Sequence, residues 1–298
     1  MDPMLVIANA GAGGSEDGED DPALAVLREA GEVEVVATED TSDVERVLAD
    51  RNGRTVVVLG GDGSLHAVVS VLYSRGWLDG TRVGLVPLGT GNDFARGLGI
   101  PLDSTAAARQ LLSVPARHID LVVDDEGGVV VNAVHVGVGV DAAEEATSLK
   151  PRFGRFGYVI GAVRTGLVTR GQYLRVEVDD DVVADGSARV LQVAIGNGRF
   201  AGGGVPLLPA AVADDGHVDV IVSFAQSTVR RLAYASRVRL GRHPDNHDVE
   251  AQRGRRVVVE AREGFRWNVD GEVEGPATRR EWTVQPHAWT VLAPPSDR

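Results

Sequence analysis

The sequence predicts an α/β protein in which a parallel sheet covered by helices is followed by a mostly antiparallel, β-rich half. Two observations predict it. Through residue 120, short β-branched runs alternate with helical stretches, the rhythm of crossover units that lay helices over a parallel sheet. Beyond residue 120, strands follow one another closely, separated by turn signals such as "DDEGG" at 124–128, Asp185-Gly186 and Asp215-Gly216. The chain's 298 residues, 43% of them apolar, are enough to build a real core in each half.

The elements read in order. "MLVIANA", "EVEVVAT", "RTVVVLG" and "RVGLVPLG" are the strand-like runs of the first half. Between them lie "PALAVLREAG", "TSDVERVLADR" and "SLHAVVSVLYSRG", each with apolar residues at helical spacing. In the second half two helices interrupt the strands, one over "RFGYVIGAVRTGL" after Lys150 and one over "TVRRLAYASRVRLGRH" at 228–243. No internal repeat or low-complexity tract is present.

Composition excludes several classes of function. A net charge of −13 argues against nucleic-acid binding, which needs a basic footprint. The absence of cysteine removes disulfides, thiolate zinc sites and iron–sulfur clusters. The start carries Asp2 where a secretion signal needs positive charge, so a cytoplasmic protein is expected. The longest apolar region, residues 129–143, is broken by Asn132 and His135 and is too short to span a bilayer, so no transmembrane segment is expected.

Two glycine loops carry the chemistry. Gly60, Gly61 and Gly63 follow a buried-type strand and precede a helix, which places their N–H groups at the carboxyl end of an open sheet, where anionic ligands collect. A second loop, "PLGTGNDFARGLGIP" at 87–101, follows the next strand and carries Thr90, Asn92, Asp93 and Arg96. Each loop holds an acid, Asp62 or Asp93, yet an ionised carboxylate repels phosphate. A divalent cation reconciles the two, and magnesium suits one or two carboxylates together with phosphate oxygens. A Walker-type loop is excluded, because the single lysine, Lys150, sits in "SLKPR". "GVGVDA" at 137–142 fits a loose dinucleotide pattern, but its antiparallel surroundings make it a decoy.

Taken together, "GGDGSLHAVVSVL" and "PLGTGNDFARGLGIP" resemble the catalytic domain of the diacylglycerol and sphingosine kinase family, with kinship to NAD kinases. "HIDL", "VNAVHVGVGVDA", "NGRFAGGGVPLLPAAVADDGHVDV" and "VDGEVEG" extend the resemblance over nearly the whole chain. It implies a Rossmann-like ATP-binding domain over 1–120, a lipid-substrate domain over 121–287, and a last strand near 288–298 returning to the first domain. ATP is expected in the cleft between them, with magnesium. Gly60, Gly61, Gly63 and Ser64 match the phosphate loop; Asn9, Gly11 and Thr38 match nucleotide-contacting positions, as do Thr90 and Asn92 in the second loop. Asp62, Asp93 and Asp120 are similar to the family's acidic network around magnesium, and Asp215 matches a structural-metal position. Asp270 resembles the general base, favoured over Asp62 for that role, and Glu272 a nucleotide-site partner.

The departures are Ala10 for Pro, Ser64 for Thr, Ala67 for Glu and Ser70 for Asn. Ala67 removes a carboxylate. The expected activity is transfer of the γ-phosphate of ATP to a lipid hydroxyl in phospholipid metabolism, with diacylglycerol as the default acceptor. A soluble NAD kinase-like enzyme and a degenerate nucleotide-binding regulator are the alternatives. The partner is a lipid at a membrane surface, and a homodimer is compatible with the sequence.

Two stretches could touch that surface. "KPRFGRFGY" at 150–158 alternates basic and aromatic residues. In the helix at 228–243, Val229, Leu232, Ala233, Ser236 and Leu240 share a face flanked by arginines. For this helix the sequence favours packing of the stripe on the sheet over membrane contact. His66, His118, His135 and His217 show no metal-ligand spacing and are given no chemistry.

Overall fold

The computed structural model describes residues 2–9, 21–137, 171–225 and 227–296. Gly11, the "GVGVDA" stretch beyond Gly137, "KPRFGRFGY" and the helix expected over "RFGYVIGAVRTGL" lie outside the described residues.

The first half alternates as the sequence predicts: β1 (Met4–Asn9), α1 (Pro22–Ala30), β2 (Val33–Thr38), α2 (Thr41–Ala49), β3 (Thr55–Gly60), α3 (Asp62–Ser74) and β4 (Arg82–Pro87). The helix starts are written into the chain. Asp21 accepts the N–H of Ala23 with Pro22 at the first helical position, and Asp40 accepts from Ser42 and Asp43. β3 is buried along its whole length, as expected of a central parallel strand with helices over both faces.

The strands pair in the order β2-β1-β3-β4, all parallel. That order places a topological switch point between β1 and β3, where a crevice opens at the carboxyl ends of the strands. In register at that edge are Asn9 beside Thr38 and Gly60 beside Pro87.

Two short helices follow, α4 (Asp93–Gly97) and α5 (Ser104–Leu111), and then the chain turns antiparallel. β5 (Ala116–Asp124), β6 (Val129–Val130), β7 (Ala133–Gly137), β8 (Gln172–Val178), β9 (Asp181–Val190), β10 (Gln192–Gly196) and β11 (Val218–Ser223) precede α6 (Thr228–Val238). β12 (Val249–Gly254), β13 (Arg256–Val269) and the 21-residue β14 (Glu272–Leu292) complete the fold.

β14 ties the halves together. It pairs antiparallel with β13 and β5, and near its end it lies parallel to β4, with Thr290 opposite Arg82 and Val291 opposite Val83. The result is one mixed sheet running β12-β11-β10-β7-β13-β14-β4-β3-β1-β2. Trp289, 2% exposed, stacks on Phe94 of α4 with ring centroids 5.6 Å apart, so the returning strand also supports the second glycine loop.

The helix at 228–243 differs from expectation. Arg231 and Tyr234 point inward, while Val229, Leu232, Ala233, Ser236 and Leu240 face outward, with Val229 77% and Leu240 68% exposed. Two polar bonds set this orientation: Arg231 Nε donates to the carbonyl of Ala225 at 3.1 Å, and Tyr234 Oη donates to Gln192 Oε1 at 3.0 Å. The predicted packing of the apolar stripe on the sheet is therefore corrected.

Among the described residues no helix is long and apolar enough to cross a membrane.

Candidate active site

The first glycine loop presents an open helix start. Gly61 is the N-cap of α3, and among the described residues no side chain caps the N–H groups of its first turn, the arrangement that receives anions. The glycines are required by close approach. A Cβ on Gly60 would lie 2.5 Å from Ser64 Oγ, and one on Gly89 would lie 2.6 Å from the Cα of Gly61. The two loops thus touch backbone to backbone. Among the described residues nothing lies within 4 Å of a Cβ placed on Gly63.

Across the crevice, Asn9 Nδ2 donates weakly to Ser64 Oγ at 3.5 Å, and the buried Thr38 donates to the carbonyl of Ala8 at 3.4 Å. Thr90 is exposed on the second loop. Asn92, in the left-handed region at φ 52°, donates through Nδ2 to the Gly89 carbonyl at 2.7 Å, and its buried Oδ1 has no partner among the described residues.

Asp62 explains how the loops are joined. Its Oδ2 accepts the N–H of Asp93 at 3.0 Å and its Oδ1 that of Phe94 at 3.1 Å, so it caps α4 from the neighbouring loop. Asp93 makes the equivalent connection one step further, accepting from Gly203 N at 2.9 Å and Gly204 N at 2.6 Å. The two carboxylates converge on Gly91, where a Cβ would lie 3.0 Å from Asp62 Oδ2 and 3.6 Å from Asp93 Oδ2. Burial raises the Asp93 pKa and the Asp62 charge adds to the rise, against the opposing N–H groups and Arg96.

This pair fits magnesium. Each carboxylate oxygen accepts one N–H and keeps a lone pair, and a cation would relieve the repulsion between them. Among the described residues there is no cluster of three or more acidic or imidazole groups suited to a metal, and an ion held by this pair would leave coordination positions for water and phosphate.

Asp120 and Asp215 lie together in a different group. Asp120, buried in β5, accepts from Gly216 N at 2.7 Å and His287 N at 2.8 Å, stapling the 213–217 turn to β14. Burial raises its pKa against those two N–H groups. Asp215 Oδ1 accepts the N–H of His217 at 3.1 Å, while Oδ2 is held by the guanidinium of Arg253. Arg253 Nε also lies 3.7 Å from Asp219, whose carboxyl burial pushes up to about 6. The half-exposed guanidinium of Arg253 occupies the space beside Asp215 Oδ2 in this structure.

Asp270 and Gly271 form the two-residue turn between β13 and β14, at φ 48° and 109°. The side chain does more than turn the chain. Oδ1 accepts the N–H groups of Asn132 and Ala133, both at 2.9 Å, and Oδ2 accepts that of Val131 at 2.7 Å. Oδ2 also lies 2.8 Å from Nδ1 of His66. Glu272 is exposed nearby.

His66 is the residue that sequence reasoning missed. Burial disfavours its charged form, but the hydrogen bond and charge of Asp270, with Glu272 and Glu274, outweigh burial and raise the imidazole pKa. Its spacing carried a signal: Asp62, His66, Ser70 and Ser74 recur every four residues and share one face of α3. His66, Ser70 and Ser74 line an open cleft of about 470 Å³ with Gly128, Val269 and Glu274. The Gly203–Gly204 contact to Asp93 was equally unread.

The loops thus present an uncapped helix start and a convergent carboxylate pair, and a hydrogen-bonded imidazole borders an open cleft. A family model for the diacylglycerol kinase catalytic domain matches residues 3–123, and one for the YegS C-terminal NAD kinase beta sandwich-like domain matches residues 132–293. The class is thus that of kinases, and the molecule is an enzyme.

In Pseudomonas aeruginosa PAO1, a relative named "Probable lipid kinase YegS-like" is 36% identical over 98% of this chain and 95% of its own. Its namesake in Pseudomonas fluorescens Pf-5 is 34% identical over 91% and 89%. The chain belongs to the YegS-like lipid kinase family. A solved structure of a diacylglycerol kinase from Bacillus anthracis str. Sterne shares the fold, with a TM-score of 0.77 at 22% identity over 99% of this chain and 98% of that one.

Proposed function

We propose that the protein transfers the γ-phosphate of ATP, with magnesium, to the hydroxyl of a membrane lipid, diacylglycerol being the default acceptor and phosphatidic acid the product. The observation that carries this reading is the convergence of Asp62 and Asp93 beside an uncapped helix start, at the carboxyl edge of a doubly wound sheet. In this reading, residues 1–120 with the returning strand hold the donor, and residues 121–287 shape the acceptor side.

The N–H groups of Gly63 and Ser64 hold the donor phosphates, with Asn9, Thr38, Thr90, Asn92 and Glu272 around the nucleotide. Asp62 and Asp93 would hold magnesium, which when bound neutralises charge on the phosphates. Gly61 and Gly89 fix the distance between the loops. Asp270 and His66 form the proton-accepting side.

The outward face of α6 and of the turn that follows it supports lipid access. Val229, Leu232 and Leu240 stand beside the exposed Arg230, Arg239 and Arg242 on a chain that is acidic overall. Apolar residues beside localised positive charge suit peripheral contact with an anionic membrane at its cytoplasmic surface.

The NAD kinase-like character of the domain matching 132–293 favours a second reading, a soluble small-alcohol acceptor. Incubation with γ-labelled ATP and a lipid extract, followed by organic extraction, separates them. Label in the organic phase is the expected result. Label confined to a water-soluble product supports the second reading, and nucleotide binding without transfer identifies a regulator.

A further inference from the structure

Asp93 is held from both halves of the chain. On its own side of the crevice, Asp62 accepts its backbone N–H. Its side chain reaches instead to the turn at residues 201–205 in the antiparallel half, where each carboxylate oxygen accepts one N–H: Oδ2 from Gly203 at 2.9 Å and Oδ1 from Gly204 at 2.6 Å. Asp93 is buried, so these bonds rather than water set the direction of its carboxylate.

The turn has the shape this contact needs. Ala201 and Val205 exchange backbone hydrogen bonds of 2.9 and 3.1 Å, and the three residues between them are glycines with φ of 64°, 87° and 99°. Turn conformations of this kind point successive N–H groups to one side and receive an anionic oxygen, and glycine holds them without strain. Arg96 closes the contact from outside: its Nε donates to the Gly91 carbonyl at 3.2 Å, and its side chain lies along Gly204, where a Cβ would meet Nε at 3.4 Å.

The effect reaches the carboxylate pair. A Cβ on Gly91 would lie 3.0 Å from Asp62 Oδ2, 3.6 Å from Asp93 Oδ2 and 4.0 Å from the Gly203 nitrogen. The Asp93 oxygen that converges with Asp62 is therefore the one that Gly203 holds. Two like charges converging on one point would turn free side chains apart; the bond to Gly203 keeps this one in place.

We propose that the Gly202–Gly204 turn is a positioning element of the donor site: Gly203 and Gly204, from the antiparallel half, fix the Asp93 carboxylate beside Asp62, where the pair would hold magnesium. This deepens the kinase reading above and rests on it, because the metal-holding side of the donor site is then assembled by both halves of the chain. Magnesium demands near-ideal geometry of its ligands, so a carboxylate set in advance lowers the cost of ordering it on binding. Linkage makes the effect mutual: a turn that raises metal affinity is itself held more firmly, by the same factor, when the metal is bound.

Gly203 permits the test, since among the described residues nothing lies within 4 Å of a Cβ placed there and its φ of 87° is what disfavours a side chain. Asn adopts positive φ far more readily than Val. Calorimetry measures the affinity for a non-hydrolysable ATP analogue, with magnesium and with a chelator, in wild type, Gly203→Asn and Gly203→Val. Gly203→Val should lose about tenfold of the magnesium-dependent gain, the scale of one hydrogen bond to a charged group, and bind the metal-free analogue as wild type does. Gly203→Asn should recover most of that loss, and in an Asp93→Asn background Gly203→Val should add none. In wild type, amide hydrogen exchange at Gly203 and Gly204 should slow by a similar factor only when analogue and magnesium are both present. That measurement carries the test if Gly203→Val folds poorly, as judged by circular dichroism. A full magnesium-dependent gain in folded Gly203→Val, an equal loss in both variants, a further loss in the Asp93→Asn background, or exchange indifferent to magnesium overturns the proposal. Wild type that binds no analogue under either condition instead overturns the donor-site reading itself.

Discussion

At the residue scale the site is held by carboxylates that work as hydrogen-bond acceptors for loops distant in sequence. Asp62 caps α4, Asp93 holds the Gly203–Gly204 turn, and Asp270 gathers residues 131–133. Asp62→Asn replaces a charge-assisted acceptor and removes half of the carboxylate pair. Hydrogen bonds to charged groups contribute about 1.5–3 kcal/mol, so calorimetry should show magnesium-dependent nucleotide affinity weakened by about tenfold or more. An unchanged affinity would separate Asp62 from the cation. Both acids were legible in the sequence, because each sits inside a glycine loop after a strand. His66 was not read, because the partner that gives it meaning lies 204 residues away. The Asp215 site was legible only as a position; that Arg253 meets it follows from the pairing of β11 with β12, where Asp219 faces Arg253.

At the element scale the alternation of strand and helix could be read directly, since parallel strands buried on both faces appear as continuous apolar runs. The face that α6 turns inward could not. Its stripe is short, and the two residues that anchor it inward, Arg231 and Tyr234, are polar groups whose partners lie on other segments. Leu232→Glu with Leu240→Glu should reduce cosedimentation with anionic vesicles severalfold while leaving the thermal midpoint unchanged, because both side chains are exposed. Loss of fold in that variant, or undiminished vesicle binding, would remove α6 from the membrane contact.

At the scale of the whole molecule, one strand makes the crevice a single site. β14 begins at the Asp270 turn, crosses the antiparallel half, and ends beside β4 with Trp289 against Phe94. Trp289→Ala opens a cavity at this junction and removes the indole bond to the Asp120 carbonyl, 3.2 Å away. It should cost about 3–5 kcal/mol, read as a lower denaturant midpoint, and nucleotide affinity should fall with it, because α4 loses its support. Stability lost without any change in affinity would uncouple the strand from the site. The sequence carried the return of this strand only through resemblance; its parallel pairing with β4 rests on two residue pairs that no local pattern marks.

In the function proposed above, the donor's phosphates bind between the Gly60–Ser64 loop and the Gly91–Asp93 loop, with the acceptor side along α3. A crystal structure with magnesium and a non-hydrolysable ATP analogue tests it most directly. The γ-phosphate should sit against the N–H groups of Gly63 and Ser64, with the metal between it and Asp62 and Asp93, facing the cleft that His66 borders. A nucleotide bound elsewhere, or one whose γ-phosphate points away from α3, would contradict the account.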